Sequence, residues 1–209
     1  MEIEYKGANC VVLKTKNDTV VVDPTADTGV KDFGKNAMIL YTDERFMEGS
    51  QQSGFVINEP GEYERGDVSV RGIAVRRYID PEDNGKKATM YRVEFGGVRL
   101  AVLRNITHAI DDDSLEALGV VDVVIIPVGG GGYTLDAKDA STIIRQIGSR
   151  VVVPTHFSDG TKYEVPQDDL EVFVKEFGGL NEDKDTSFKI KTIEELPEGP
   201  VIYSLRRTS

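Results

Sequence analysis

The run at residues 120–128, apolar apart from Asp122, constrains this chain more than any other segment. A strand buried on both faces reads that way, because parallel sheets are covered by helices on both sides. After Gly129, Gly130, Gly131 and Gly132, the residues Ala137, Ala140, Ile143, Ile144 and Ile147 recur at helical spacing on one face. Asp136 stands as N-cap, with Asp139 three residues on, an acidic variant of the capping box. Residues 151–153 are all valine and predict a second strand. The whole stretch reads as strand–helix–strand.

The first half has a different rhythm. Residues 11–13 and 20–23 flank the polar turn Lys16-Asn17-Asp18 and read as a hairpin. Residues 38–41 form a short buried strand, and 68–75 alternate. Residues 90–95 and 98–103 flank Gly96-Gly97, a two-residue hairpin loop. Helices are expected over 111–118 and 168–177. Residues 181–186 read as a mobile polar loop, and 187–209 as terminal strands. Hairpins followed by strand–helix–strand units predict sheets covered by helices in a single domain, 1–209.

With 36 acidic against 25 basic residues, the net charge is −11. That disfavours nucleic acid and anionic membranes, which need a basic face. Arg71, Arg76, Arg77, Arg92, Arg99 and Arg104 are expected on solvated strand faces. The single cysteine, Cys10, excludes an internal disulfide and reads as a buried thiol. No basic region precedes an apolar core at the N-terminus, and no apolar run approaches the ~20 residues of a membrane span. A cytoplasmic location is expected.

Six segments in order resemble the metallo-β-lactamase superfamily, and more narrowly its small metal-dependent hydrolase branch. They are the opening strand with Tyr5-Lys6-Gly7-Ala8-Asn9-Cys10, the Val22-Asp23-Pro24 turn, the hairpin from Gly61-Glu62-Tyr63-Glu64 through 75, and the strand at 126–130. Tyr133-Thr134-Leu135-Asp136 and Val153-Pro154-Thr155-His156 complete the set. The resemblance implies an α/β (α+β), four-layer αββα sandwich. It also implies a two-metal hydrolytic centre built on an H-x-H-x-D-H loop, where two cations clamp a hydroxide.

That loop is the stretch Tyr41-Thr42-Asp43-Glu44-Arg45-Phe46-Met47-Glu48, which has no histidine. By the resemblance, Asp43, Arg45, Met47 and Glu48 take the four ligand places. Asn105 takes the bridging aspartate's place, and Ile79 the intermediate histidine's. Ala8 replaces the extra opening histidine. Only His156 survives. An arginine among the ligands opposes a metal, so Arg45 is expected to pair with the acids and replace the metal's charge. His108 is the only other histidine and reads as exposed. The glycines at 129–132 read as a permissive turn rather than a phosphate cradle, since no P-loop Lys-Ser/Thr follows.

The expectation is therefore a degenerate, non-catalytic member with no cofactor, a vestigial site at Asp43, Arg45, Met47, Glu48, Asn105 and His156, and a small-molecule or protein partner. Edge strands leave room for a homodimer. The alternative is a hydrolase of phosphodiester, lactone or similar bonds, with a reduced site around His156. It would use a single Zn, Mn or Fe ion held by His156 with Asp43, Glu44 or Glu48, or an acid/base pair.

Overall fold

The computed structural model describes residues 1–25, 28, 33, 36–47, 54–78 and 88–208. Its strands are β1 (Glu2–Gly7), β2 (Cys10–Lys14), β3 (Thr19–Val22), β4 (Met38–Leu40), β5 (Phe55–Ile57), β6 (Gly61–Arg65), β7 (Val68–Val75), β8 (Ala88–Phe95) and β9 (Val98–Val102). There follow α1 (Asp112–Leu118), β10 (Val123–Pro127), α2 (Ala137–Ile147), β11 (Val151–Thr155), α3 (Leu170–Phe177), β12 (Leu180–Asp183), β13 (Ser187–Lys189) and β14 (Val201–Ser204). They make two sheets, ordered β13-β1-β2-β3-β4-β5 and β12-β14-β11-β10-β9-β8-β7-β6.

The valine-rich runs fold as their composition dictates. All five residues of β10 and all five of β11 are buried, and the two pair in parallel. Helix α2 connects them. Its Asp136 side chain accepts from the Asp139 N–H at 2.8 Å, and Gly148 ends it in a left-handed conformation. In β2 and β3 the alternation separates two layers. Val11, Leu13, Val20 and Val22 join the core between the sheets, while Cys10, Val12 and Val21 pack with Phe33 on the other face. Burial pushes the Cys10 thiol up to about 12, so it is an inert core residue.

Two expectations need correction. Residues 181–186 do not form a loop throughout, because 180–183 are β12, paired in parallel with β14. The polar sequence reflects its position at the sheet edge, where one row of side chains faces water. Residues 188–193, within the stretch read as terminal strands, do not form one strand either. The strand stops at Lys189, and Ile193–Glu195 form a 3-10 turn whose backbone is held by Arg150.

One buried side chain ties the sheets together. The Tyr91 hydroxyl of β8 donates across the core to the carbonyl of Tyr41, just past β4, at 2.6 Å. Tyr91→Phe is expected to cost about 1–2 kcal/mol by leaving that carbonyl without its donor. Urea unfolding with an unchanged slope would measure it, and an unaffected midpoint would count against the cross-sheet bond.

Candidate functional site

Strands β3, β4, β9 and β11 all run toward one edge of the sandwich, and the chain beyond their carboxyl ends brings the candidate residues together. Asp23, next after β3, adopts φ 43° and is buried. Its carboxylate accepts from the Thr42 backbone N–H (2.9 Å) and from the Thr42 hydroxyl (2.7 Å). The third partner is Arg104, two residues past β9, whose Nη1 lies 3.2 Å from the same carboxylate. The Arg104 side chain is only 7% exposed, and its guanidinium sits 3.3 Å from the centroid of the Phe46 ring. Burial pushes this guanidinium down and the Asp23 carboxyl up, each opposed by the other's charge. A guanidinium stays protonated all the same.

A second ion pair adjoins the first. Asp43 accepts from Arg45 Nε at 2.9 Å and from Arg45 Nη2 at 2.6 Å, while Arg77 Nη1 lies 3.4 Å away. Burial works against ionisation of Asp43. The hydrogen bonds and charge of Arg45, with the charge of Arg77, outweigh it and hold the carboxyl below its ordinary value. The pairing expected of Arg45 is present, but its place differs from expectation. Its side chain is 43% exposed, so it lies on the rim. The cation inside the centre is Arg104, which, like the largely buried Arg77, does not lie on a solvated strand face as its sequence suggested.

His156 follows β11 with φ 51°, and its backbone N–H donates to the Ala8 carbonyl at 2.7 Å. The ring is buried, 4.6 Å from that of Tyr163, with Nδ1 3.0 Å from Gln167 Oε1. Gln167 Nε2 donates to the carbonyls of Val165 and Pro166, so its oxygen is the atom that faces the imidazole. That assigns the proton to Nδ1 and leaves the Nε2 lone pair free of any hydrogen bond among the described residues. Burial, then the charge of Arg104, lowers the pKa of His156 to about 4. The glycine run serves this arrangement. A Cβ on Gly129 would lie 2.1 Å from the His156 carbonyl oxygen and 2.7 Å from Gln167 Oε1.

The remaining candidates divide. Glu44 is exposed and Met47 half-buried. Glu48 and Ile79 lie outside the described residues. Asn105 has a buried Oδ1 with no hydrogen-bond partner among the described residues, and its backbone carbonyl accepts from Tyr78. His108 is exposed. Asp23, Thr42, Arg104 and Gln167 were missed by sequence reasoning. The Asp23-Pro24 turn was seen only as a fold marker, and the Arg104-Asn105 pair drew attention to Asn105 alone.

This donor set does not fit a two-metal centre. Such a centre needs several imidazoles and carboxylates. Here there is one imidazole, Asp43 is engaged by two guanidiniums, and the charge of a third, Arg104, acts on both Asp43 and His156. Among the described residues, no three His, Cys, Asp or Glu side chains are grouped to hold a metal ion.

Two outcomes follow from the geometry. Because the folded pKa of His156 lies below its unfolded value of 6.5, its contribution to stability is full above pH 6.5. It falls as the pH drops toward 4, by on the order of 3 kcal/mol in total. The His156 Hε1 resonance should therefore stay fixed from pH 8 to 5, and a midpoint near 6.5 would show a solvated ring instead. Arg104→Met should cost about 3–5 kcal/mol, since Asp23 is left charged and buried. Asp23→Asn in the same chain should recover part of that loss, and full additivity of the two would deny the pair.

Comparison with known proteins agrees with this geometry at the level of fold. The family described as β-lactamase superfamily domain matches residues 2–156. The UPF0173 protein PF0020 of Pyrococcus furiosus is 25% identical over 199 residues, covering 84% of this chain and 90% of its own. UPF0173 protein PYRAB01190 of Pyrococcus abyssi is 22% identical over 205 residues, with 84% and 96% covered. A metallo-β-lactamase superfamily protein from Thermotoga maritima superposes with a TM-score of 0.76 at 20% identity, over 99% of both chains. Igni18 of Ignicoccus hospitalis gives 0.58 at 15% identity, over 85% and 90%. Two stacked mixed sheets, with the candidate residues gathered past the carboxyl ends of their strands and the family match across most of the length, make this chain a member of the β-lactamase superfamily.

Proposed function

We infer that this member of the superfamily binds a small molecule or a protein at the strand-end centre rather than hydrolysing a substrate with two metals. One observation supports the reading: the buried Arg104 guanidinium, paired with Asp23 and capped by Phe46, lies close enough for its charge to act on Asp43 and His156, two of the aligned ligand places. A fixed cation there repels a second one. The net charge of −11 argues against nucleic acid as the partner.

A second reading has its own support. The Nε2 of His156 is a fixed, neutral lone pair facing away from Gln167, which could serve as a ligand or as a base in a reduced hydrolytic site. With its pKa down near 4, it is a weak base at neutral pH, so the binding reading is preferred.

Protein purified without a histidine tag and equilibrated with Zn, Mn or Fe should emerge from gel filtration with substoichiometric metal by plasma emission analysis. One or two equivalents retained in the parent and lost in His156→Ala would overturn the binding reading in favour of the metal-dependent one.

A further inference from the structure

His156 is enclosed by a segment that is not itself buried. Between β11 and α3 there is no helix or strand among the described residues, and residues 158–168 form an Ω-loop with its ends tied together. Ser158 N–H donates to the Asp168 carbonyl at 2.9 Å, and Asp168 N–H to that of Gly129 at 2.8 Å. Phe157 and Leu170, on either side, pack into the core. None of the described side chains from 158 to 168 is buried, and none joins that core. Yet the loop wraps the imidazole, with the Tyr163 ring 4.6 Å away on one side and Gln167 at Nδ1.

One carboxylate closes the loop. Asp159 Oδ2 accepts from the Tyr5 hydroxyl at 2.6 Å and from Ala8 N–H at 3.3 Å. Its Oδ1 accepts from Thr161 N–H at 2.8 Å and from the Tyr163 hydroxyl at 3.1 Å. Two donors belong to β1 and the residue after it, and two to the loop, so Asp159 fastens the loop to the sheet and steadies Tyr163 against His156. Burial pushes both phenols up, and each stays a donor. The return arm lies on the glycine run, where a Cβ on Gly131 would come 2.7 Å from the Pro166 carbonyl oxygen. The loop is therefore held by backbone bonds at its base and by polar side chains beyond it. A segment without apolar anchors opens more readily than the whole fold, and its bonds to a carboxylate set the cost.

We propose that residues 158–168 are a lid latched by Asp159, whose opening gives a ligand access to His156 Nε2 and the strand-end centre. The proposal rests on the binding role inferred for that centre and names its control. With Phe157 and Leu170 anchored, the motion is confined to the loop between them. Shut, Tyr163 screens the ring from water. Open, the neutral Nε2 is left as a hydrogen-bond acceptor.

The test is modification of full-length, EDTA-treated protein by diethyl pyrocarbonate at neutral pH, with each histidine followed by peptide mass spectrometry. The exposed His108 is the only other histidine and serves as internal reference. His156 should react about tenfold or more slowly than His108, as a group accessible only in a minor open state. Asp159→Asn and Tyr163→Ala should each speed His156 about tenfold or more, with the His108 rate unchanged. Lys162→Ala, exposed on the same loop, should change neither rate. Hydrogen exchange in the parent chain gives a readout if the variants misfold: the Thr161 amide should exchange with little dependence on urea, while that of Val153 in β11 waits for global unfolding. His156 as reactive as His108, a folded Asp159→Asn with an unaltered His156 rate, or Thr161 exchange that follows global unfolding would overturn the lid. Metal retained before EDTA treatment would overturn the binding role, whereas a slow His156 in the same protein would still uphold the lid. A fast His156 in metal-free protein would overturn the lid alone.

Discussion

The buried pair of Arg104 with Asp23 is the interaction on which the centre depends. Both groups give up water, a cost that is recovered only when geometry is good and the remaining polar atoms are satisfied. Asp23 meets that condition: both oxygens are engaged, by the Thr42 amide and hydroxyl and by the guanidinium. Arg104 meets it partly, because Nε and Nη1 lack a well-directed hydrogen bond and the Phe46 face takes up one side. Through these contacts one ion pair fixes the turn after β3, the loop after β4 and the segment after β9. The two sheets are thus locked together at the edge where the candidate residues stand.

Much of the fold was legible because its signals are local. The apolar runs of β10 and β11 and the helical spacing of α2 follow from burial on one or both faces. β12 was misread for the same reason: an edge strand exposes most of its side chains, so composition alone cannot separate it from a loop. Arg104 was misread for a different one. Burial alternates along β9 only from Val98 to Leu100, and from there through Arg104, two residues past the strand, every side chain is buried. A period-two argument has no force past the end of a strand. The loop after β4 could be placed from the short buried strand before it, yet what occupies the centre is set by contacts from 81 positions away in sequence, as between Arg104 and Asp23.

The same limit explains His156. Its place after a buried strand could be read, but its state could not. Gln167 fixes the tautomer, Ala8 holds the backbone, and Gly129 lets the His156 carbonyl approach. The glycine run had been read correctly as permissive, and the structure supplies the reason: three consecutive positive φ angles, at Gly130, Gly131 and Gly132, carry the chain around the loop that holds Gln167. Conformational freedom in one segment thus decides the chemistry of a side chain in another.

Replacing an exchangeable ion by a covalently attached one changes what a site can respond to. A metal centre gains or loses charge with metal supply and pH, because its ligands must be deprotonated to bind. A guanidinium keeps its charge across that range. With Arg104 balancing Asp23 and with Arg45 and Arg77 balancing Asp43, the centre's electrostatics are set when the chain folds. What can still vary at this edge is whatever enters from outside, and it meets charges that are already paired. A centre neutralised in this way keeps its charge whatever the supply of metal.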